Sequence, residues 1–229
     1  MIKMIVFDMA GTVIDENNVV YKTLLEAINA EGHSLTLEQV LSDGAGKEKS
    51  QAIKDVLQKH AGISNAEQFN TIFQKFLSKL KYAYQSQDIK PQPGAEGLFD
   101  QLKRNGIYAV LNTGYDVTTA KLILEKVGWQ VGKQIDAMIT ASDVINSRPA
   151  PDMIEFAKRK FGLNGADKVI KIGDSMIDIE EGKNANCYLC IGITTGAHSR
   201  AQLLRAKPDL IVDTLSEIWP LLDNSRDRL

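Results

Sequence analysis

The sequence predicts an α/β protein, a doubly wound parallel sheet with an inserted α-helical cap, and three observations carry that expectation. Short apolar, β-branched runs recur along the chain, helical patterns separate them, and one long interval has helical periodicity with no strand-like run. The candidate strands are 2–7, 108–112, 137–140, 169–172, 188–193 and 210–212. Their nearly continuous hydrophobicity suits strands covered on both faces, as in a parallel sheet. Helical spacing predicts helices near 95–105, 117–127, 153–161, 177–186, 200–206 and 215–222. Between Asp15 and Asp88 the apolar residues fall three and four apart: Leu24, Leu25 and Ile28; then Ile53, Val56 and Leu57; then Phe69, Ile72, Phe73, Phe76, Leu77 and Leu80. The interval 15–88 is long enough for a small helical unit with its own core, which leaves 1–14 and 89–229 for the sheet domain. Pro91, Pro93 and Gly94 mark the return from one to the other.

Composition narrows the partners. With 229 residues, 44% hydrophobic and 24% charged, the chain can bury an ample core without disulfide staples. A net charge of −2 provides no field for nucleic acid or an anionic membrane, so the expected partner is a small molecule. The N-terminal apolar run ends at Asp8 without a small-residue cleavage site, and no stretch approaches membrane-spanning length. A cytoplasmic location is expected, and it suits two free thiols. Cys187 and Cys190 fall in an apolar strand pattern, where a three-residue spacing turns them to opposite faces and points to core packing rather than redox or metal chemistry.

In an open parallel sheet, ligands bind outside the carboxyl ends of the strands. The first strand delivers Asp8, followed by Met9, Ala10, Gly11 and Thr12, and a glycine there lets backbone amides turn toward an anion. The second ends in Asn112, Thr113, Gly114 and Tyr115, a hydroxyl and an amide at a helix start that suit phosphate. Arg148 follows the third strand and can supply a fixed positive charge. The fourth delivers Gly173, Asp174 and Ser175, with Asp178 one helical turn beyond Asp174. Carboxylates converging from different strand ends repel each other unless a cation lies between them, and all-oxygen ligands select Mg²⁺.

Asp at the first strand end, Thr at the second, a cation before the next and GDSxxD at the fourth form the motif series of the haloacid dehalogenase superfamily, which this chain resembles. The resemblance spans the sheet domain, whose fold it makes Rossmann-like, and the helical insert lies where that superfamily carries its cap. It implies a hydrolase in which Asp8 is the nucleophile that forms an aspartyl-phosphate, and in which Thr113, Gly114, Arg148 and Gly11 bind the phosphoryl group. It also implies that Mg²⁺ sits on Asp8, Asp174 and the Ala10 carbonyl, with Asp178 in support.

Most phosphatases of the superfamily carry a general-acid Asp where this chain has Ala10. DMAGT, TGY and RPAP together resemble the phosphonatase (phosphonoacetaldehyde hydrolase)-like branch, which shares that departure. In that branch a cap lysine forms a Schiff base with the substrate aldehyde, and carbon leaves as an enamine that needs no alcohol-protonating acid. Lys49, three residues after Gly46 at a helix start, stands in the matching place, where a helix N-terminus lowers an amine's pKa. Ala45 and Ala52 stand where phosphonatase has Met and His, so the likeness is to the branch rather than to one enzyme. Three readings remain open on the residues: cleavage of a small phosphonate with Lys49 covalent, hydrolysis of a small phosphate monoester with Lys49 gripping the anion, and a non-catalytic phosphate binder. His33 and His60 fall at cap helix ends and His198 in a loop after a strand; a homodimer through the stripe 69–80 is a further expectation, set against core packing of that stripe.

Overall fold

A computed structural model describes residues 1–164 and 168–226, with side-chain burial described to residue 222. Six strands, β1 (Ile2–Asp8), β4 (Tyr108–Thr113), β5 (Ala137–Thr140), β6 (Lys168–Gly173), β7 (Leu189–Ile193) and β8 (Leu210–Val212), form one parallel sheet in the order β5-β4-β1-β6-β7-β8. β1 lies at its centre, so the strand order reverses beside it and the crevice at its carboxyl end is the ligand position for such a sheet.

Alternation along β1 explains the two layers. Met4 and Val6 join an apolar cluster with Met153, Ile154 and Ala157 of α7 (Asp152–Lys160) on one face. Ile5 and Phe7 face the other way, toward Leu98, Phe99 and Leu102 of α5 (Ala95–Arg104) and Ala120, Ile123 and Leu124 of α6 (Val117–Lys126). Phe99 meets Phe7 edge-on at 5.5 Å and Trp129 at 5.1 Å. The remaining helices are α8 (Met176–Asn184), α9 (Arg200–Arg205) and α10 (Ile218–Arg226). The predicted strands and sheet-domain helices all form, with ends moved by a residue or two, except that 215–222 opens as a 3₁₀ turn, Leu215–Glu217, before α10.

Between β1 and β4 lie α1 (Val19–Asn29), α2 (Leu37–Gly44), α3 (Lys49–Val56), a π-helical turn (Leu57–Ala61) and α4 (Ala66–Ser86). Side chains of Thr36, Glu48 and Asn65 accept backbone N–H bonds at the starts of α2, α3 and α4. α2 carries Leu37, Val40 and Leu41 at helical spacing on its core side and opens on a Thr36–Gln39 capping box. A short antiparallel pair, β2 (Ile14–Asp15) with β3 (Lys90–Pro91), ties the two chain crossings together. The insert's buried residues share one apolar cluster with Ile5 and Phe7 of the sheet and with Met9, Val13 and Ile14. The α4 stripe is mostly inward, with Ile72, Phe76, Leu80 and Tyr84 buried and Leu77 exposed. Cys190 is buried on β7 while Cys187 precedes that strand half-buried, and burial pushes their thiols up to about 11 and about 12, away from the reactive thiolate form. Among the described residues no helix is long and apolar enough to cross a membrane.

Phe99→Ala should lower stability by about 3–5 kcal/mol, because the site sits between two aromatic rings and a rigid sheet and cannot collapse. The measurement is the midpoint of a urea transition with an unchanged slope.

Candidate active site

At the carboxyl edge of the sheet, β1 ends in Asp8 and β6 ends in Gly173 next to Asp174, while Ser175 opens α8 and brings Asp178 back one turn later. All three carboxylates are buried, and one oxygen from each lies within 4.8 Å of the others, so a single cation can bridge them. Thr12 Oγ1 donates to Asp174 Oδ1 at 3.0 Å and the Ala197 amide to Oδ2 at 2.6 Å. Ser175 Oγ donates to Asp178 Oδ2 at 2.5 Å.

Two buried cations face these groups. Arg148 Nη1 donates to Asp8 Oδ1 at 2.6 Å and pairs with Asp178 Oδ1 at 3.0 Å, its Nη2 donates to Asn112 O and Oδ1 at 2.6 Å, and its Nε faces Glu181 Oε2 at 3.1 Å. Lys171 pairs with Asp178 at 3.0 Å and Glu181 at 3.1 Å and donates to Asn112 Oδ1 at 2.6 Å. Arg148 thus acts here as a fixed charge that holds Asp8, its two terminal nitrogens hydrogen-bonded to Asp8 and Asn112. Asp8, Asp174, Asp178 and Glu181 set four buried carboxylates against Arg148 and Lys171, leaving two negative charges, the charge of one divalent cation. Burial raises Asp8 even against Arg148, and burial with repulsion from Asp8 and Asp178 raises Asp174 well above the carboxylate range. Burial would raise Asp178 too, but Arg148 and Lys171 outweigh it and hold it low.

The insert covers this edge. Gly46, at φ 76°, packs so closely that a Cβ there would lie 2.3 Å from Ser175 Oγ, and a Cβ on Gly114 would lie 2.7 Å from the Lys47 carbonyl oxygen. His198 Nδ1 accepts from the Met176 amide at 3.0 Å, so its Nε2 carries the proton and donates to Leu41 O of α2 at 3.2 Å, joining insert to sheet domain. Between them lies a small cavity of about 10 Å³, lined by Asp8, Ala10, Thr113, Gly114, Arg148 and Asp174 from the sheet side and Tyr21, Gly46 and Lys49 from the insert. Thr113 accepts the Tyr115 amide at 3.2 Å, which leaves its hydroxyl proton for the cavity. Lys49 Nζ lies 5.1 Å from the Tyr21 ring centre and 4.8 Å from that of Tyr115, in cation–π positions, and burial pushes its pKa down against Glu16 and Asp8, which push it up.

The structure therefore brings Asp8, Ala10, Lys49, Thr113, Gly114, Arg148 and Asp174 together. Asp178 stands behind them, and Gly11 turns its amide to Ile14 O rather than to the cavity. His60 pairs with Asp43, and His33 lies in the α1–α2 loop, both away from the cavity. Sequence reading missed Lys171 and Glu181, although a lysine in the apolar run of β6 was a signal; it also missed Glu16, for which no pattern pointed inward.

A protein-family model described as haloacid dehalogenase-like hydrolase matches residues 2–186. The chain belongs to this hydrolase family. A phosphonoacetaldehyde hydrolase of Latilactobacillus sakei is 28% identical over 227 residues, covering 93% of this chain and 81% of that protein. Among solved structures, a phosphonoacetaldehyde hydrolase-like protein of Oleispira antarctica superposes with a TM-score of 0.83 at 22% identity, covering 99% of this chain and 93% of that one. A hydrolase of Pseudomonas syringae gives 0.83 at 22%, covering 97% and 98%. These structural likenesses establish the shared fold, a helical cap on a Rossmann-like hydrolase core.

Lys171→Met removes one of the two cations and leaves Asp178 and Glu181 short of a partner in a buried setting. The expected cost is about 3–5 kcal/mol in chemical denaturation. The double variant Lys171→Met/Glu181→Gln should recover part of it.

Proposed function

We propose that this hydrolase is a Mg²⁺-dependent, phosphonatase-like enzyme that breaks the carbon–phosphorus bond of a small phosphonoaldehyde such as phosphonoacetaldehyde. The observation that carries the reading is that the Lys49 amine, partly desolvated between two tyrosine rings, opens on the same cavity as Asp8, with Ala10 where an alcohol-protonating acid would stand. The phosphonoacetaldehyde hydrolase relatives support it.

Lys49, as the neutral amine, adds to the aldehyde carbon and water leaves, giving an iminium. The Asp8 carboxylate then attacks phosphorus, the carbon–phosphorus bond breaks, and its electron pair moves into the iminium as an enamine. Protonation at carbon and addition of water release the aldehyde and restore Lys49, while water hydrolyses the aspartyl-phosphate. Arg148 keeps Asp8 aimed and charged, Thr113 and the Gly114 amide take phosphoryl oxygens, and the insert over 15–88 serves as the cap that excludes water. The donor set fits a divalent cation: it would rest on Asp8, Asp174 and the Ala10 carbonyl, with Asp178 in support, and supply neutralisation of phosphoryl charge.

Turnover of phosphonoacetaldehyde should exceed that of every small phosphate monoester in a panel, and Lys49→Ala should reduce it by about a hundredfold or more. Preference for a phosphate ester, with Lys49→Ala nearly neutral, would replace this reading with a phosphatase in which Lys49 grips the anion.

Mg²⁺ at about a hundred times its dissociation constant should stabilise the protein by about 2.7 kcal/mol. Asp8 and Asp174 hold protons to higher pH than ordinary carboxyls, and those protons compete with the cation. The melting shift should therefore shrink as the pH is lowered, and Asp174→Asn should abolish it.

A further inference from the structure

The Tyr115 ring that Lys49 Nζ covers at 4.8 Å carries its hydroxyl to a carboxyl group that the mechanism above does not use. Glu16 is buried at 4% exposure, immediately before Asn17 and Asn18, both in the left-handed region at φ 50° and 54°. That turn delivers its side chain to two phenols from different parts of the fold. Tyr84 Oη of α4 donates to Glu16 Oε2 at 2.5 Å, Tyr115 Oη after β4 lies 3.1 Å from the same oxygen, and the two phenol oxygens are 2.8 Å apart. Three oxygens in mutual contact have room for three protons. The phenols bring two; with the carboxylate ionised, one contact lacks a hydrogen, and a carboxyl proton supplies it.

Among the described residues Glu16 has no ion-pair partner within 4.0 Å: it is hydrogen-bonded to the two hydroxyls, and the nearest positive influence on it is Lys49. The other titratable neighbours are Asp8 from β1 and Tyr21 from α1; Lys49 in turn faces Glu16, Asp8, Arg148 and Glu48. Burial raises Glu16 to about 7, against the Tyr84 hydrogen bond and the charge of Lys49, while burial lowers Lys49. For a buried carboxyl and a buried amine, the ion pair and the neutral pair approach each other in energy, because desolvation penalises only the charged form.

We propose that Glu16 and Lys49 share a single proton inside the closed site, so that Glu16, hung on Tyr84 and Tyr115, stores the proton Lys49 must shed to become a nucleophile. The exchange is balanced: ammonium and carboxylate become amine and carboxylic acid, with no net charge moved into or out of the cavity. Glu16 is a positioning residue that acts through Lys49. The purpose of the exchange rests on the Schiff-base reading above, but its geometry does not.

The test follows the neutral amine directly. The full-length protein with Mg²⁺ is labelled by trace acetic anhydride over a range of pH, and acetylation of Lys49 is measured by peptide mass mapping against exposed Lys207. While the pair holds one proton, the division between the two sites does not depend on pH, so wild-type Lys49 labelling should be flat within about twofold above pH 7. In Glu16→Gln, which keeps size and polarity, labelling should rise about tenfold per pH unit until the amine's own pKa. Tyr84→Phe, which takes one donor from the carboxylate and strengthens its hold on the proton, should raise the plateau several-fold and keep it flat. A tenfold-per-unit rise in wild type, or a lowered plateau in Tyr84→Phe, overturns the proposal. Borohydride trapping with phosphonoacetaldehyde runs in parallel: a plateau without an adduct on Lys49 retains the shared proton and rejects the Schiff base, whereas an adduct without a plateau does the reverse.

Discussion

The buried charge array around Arg148 is the constraint on which the rest of the site depends. A guanidinium enclosed at the sheet edge needs its partners within the protein: it hydrogen-bonds to Asp8 and Asn112 and lies within ion-pair distance of Asp178 and Glu181, groups from β1, β4 and α8. Lys171 joins the same acceptors from β6. Each strand end is thereby tied to its neighbours by charge as well as by the backbone ladder, and Asp8 is aimed by contacts that leave its carboxylate partly uncompensated. An array with two more carboxylates than cations tolerates burial best when a divalent cation shares it, and without one Asp174 is raised by burial and by repulsion from Asp8 and Asp178.

The insert imposes a second constraint, one of shape. Its Gly46 turn rests on Ser175, and its Lys47 carbonyl rests on Gly114, so cap and sheet domain meet through backbone where side chains would not fit. This contact closes a small cavity and sets Lys49 opposite Asp8. The two halves of the chemistry, a carboxylate for phosphorus and an amine for carbon, therefore come from segments that meet only after folding. The Tyr21 and Tyr115 rings keep the amine in a setting polar enough to hold it and dry enough to lower its pKa.

The sequence by itself determined the sheet, its order of strands and helices, and the identity of Asp8, Thr113, Arg148 and Asp174, because a parallel sheet writes its core as apolar runs and places its chemistry just after them. Lys49 was legible through spacing from Gly46. The short β2–β3 pair was not, since two-residue strands leave little periodic signal, and α2 offers only one eight-residue stretch of apolar spacing. Only the tertiary structure decided that Gly11 turns away, that Lys171 and Glu181 complete the charge array, and that Glu16 hangs on Tyr84 and on Tyr115, whose ring Lys49 covers. The Glu16 assignment depends on contacts between residues 68 and 99 positions apart, and the others on which charged groups lose their water. Burial and long-range pairing are properties of the packed chain, and no local pattern encodes them.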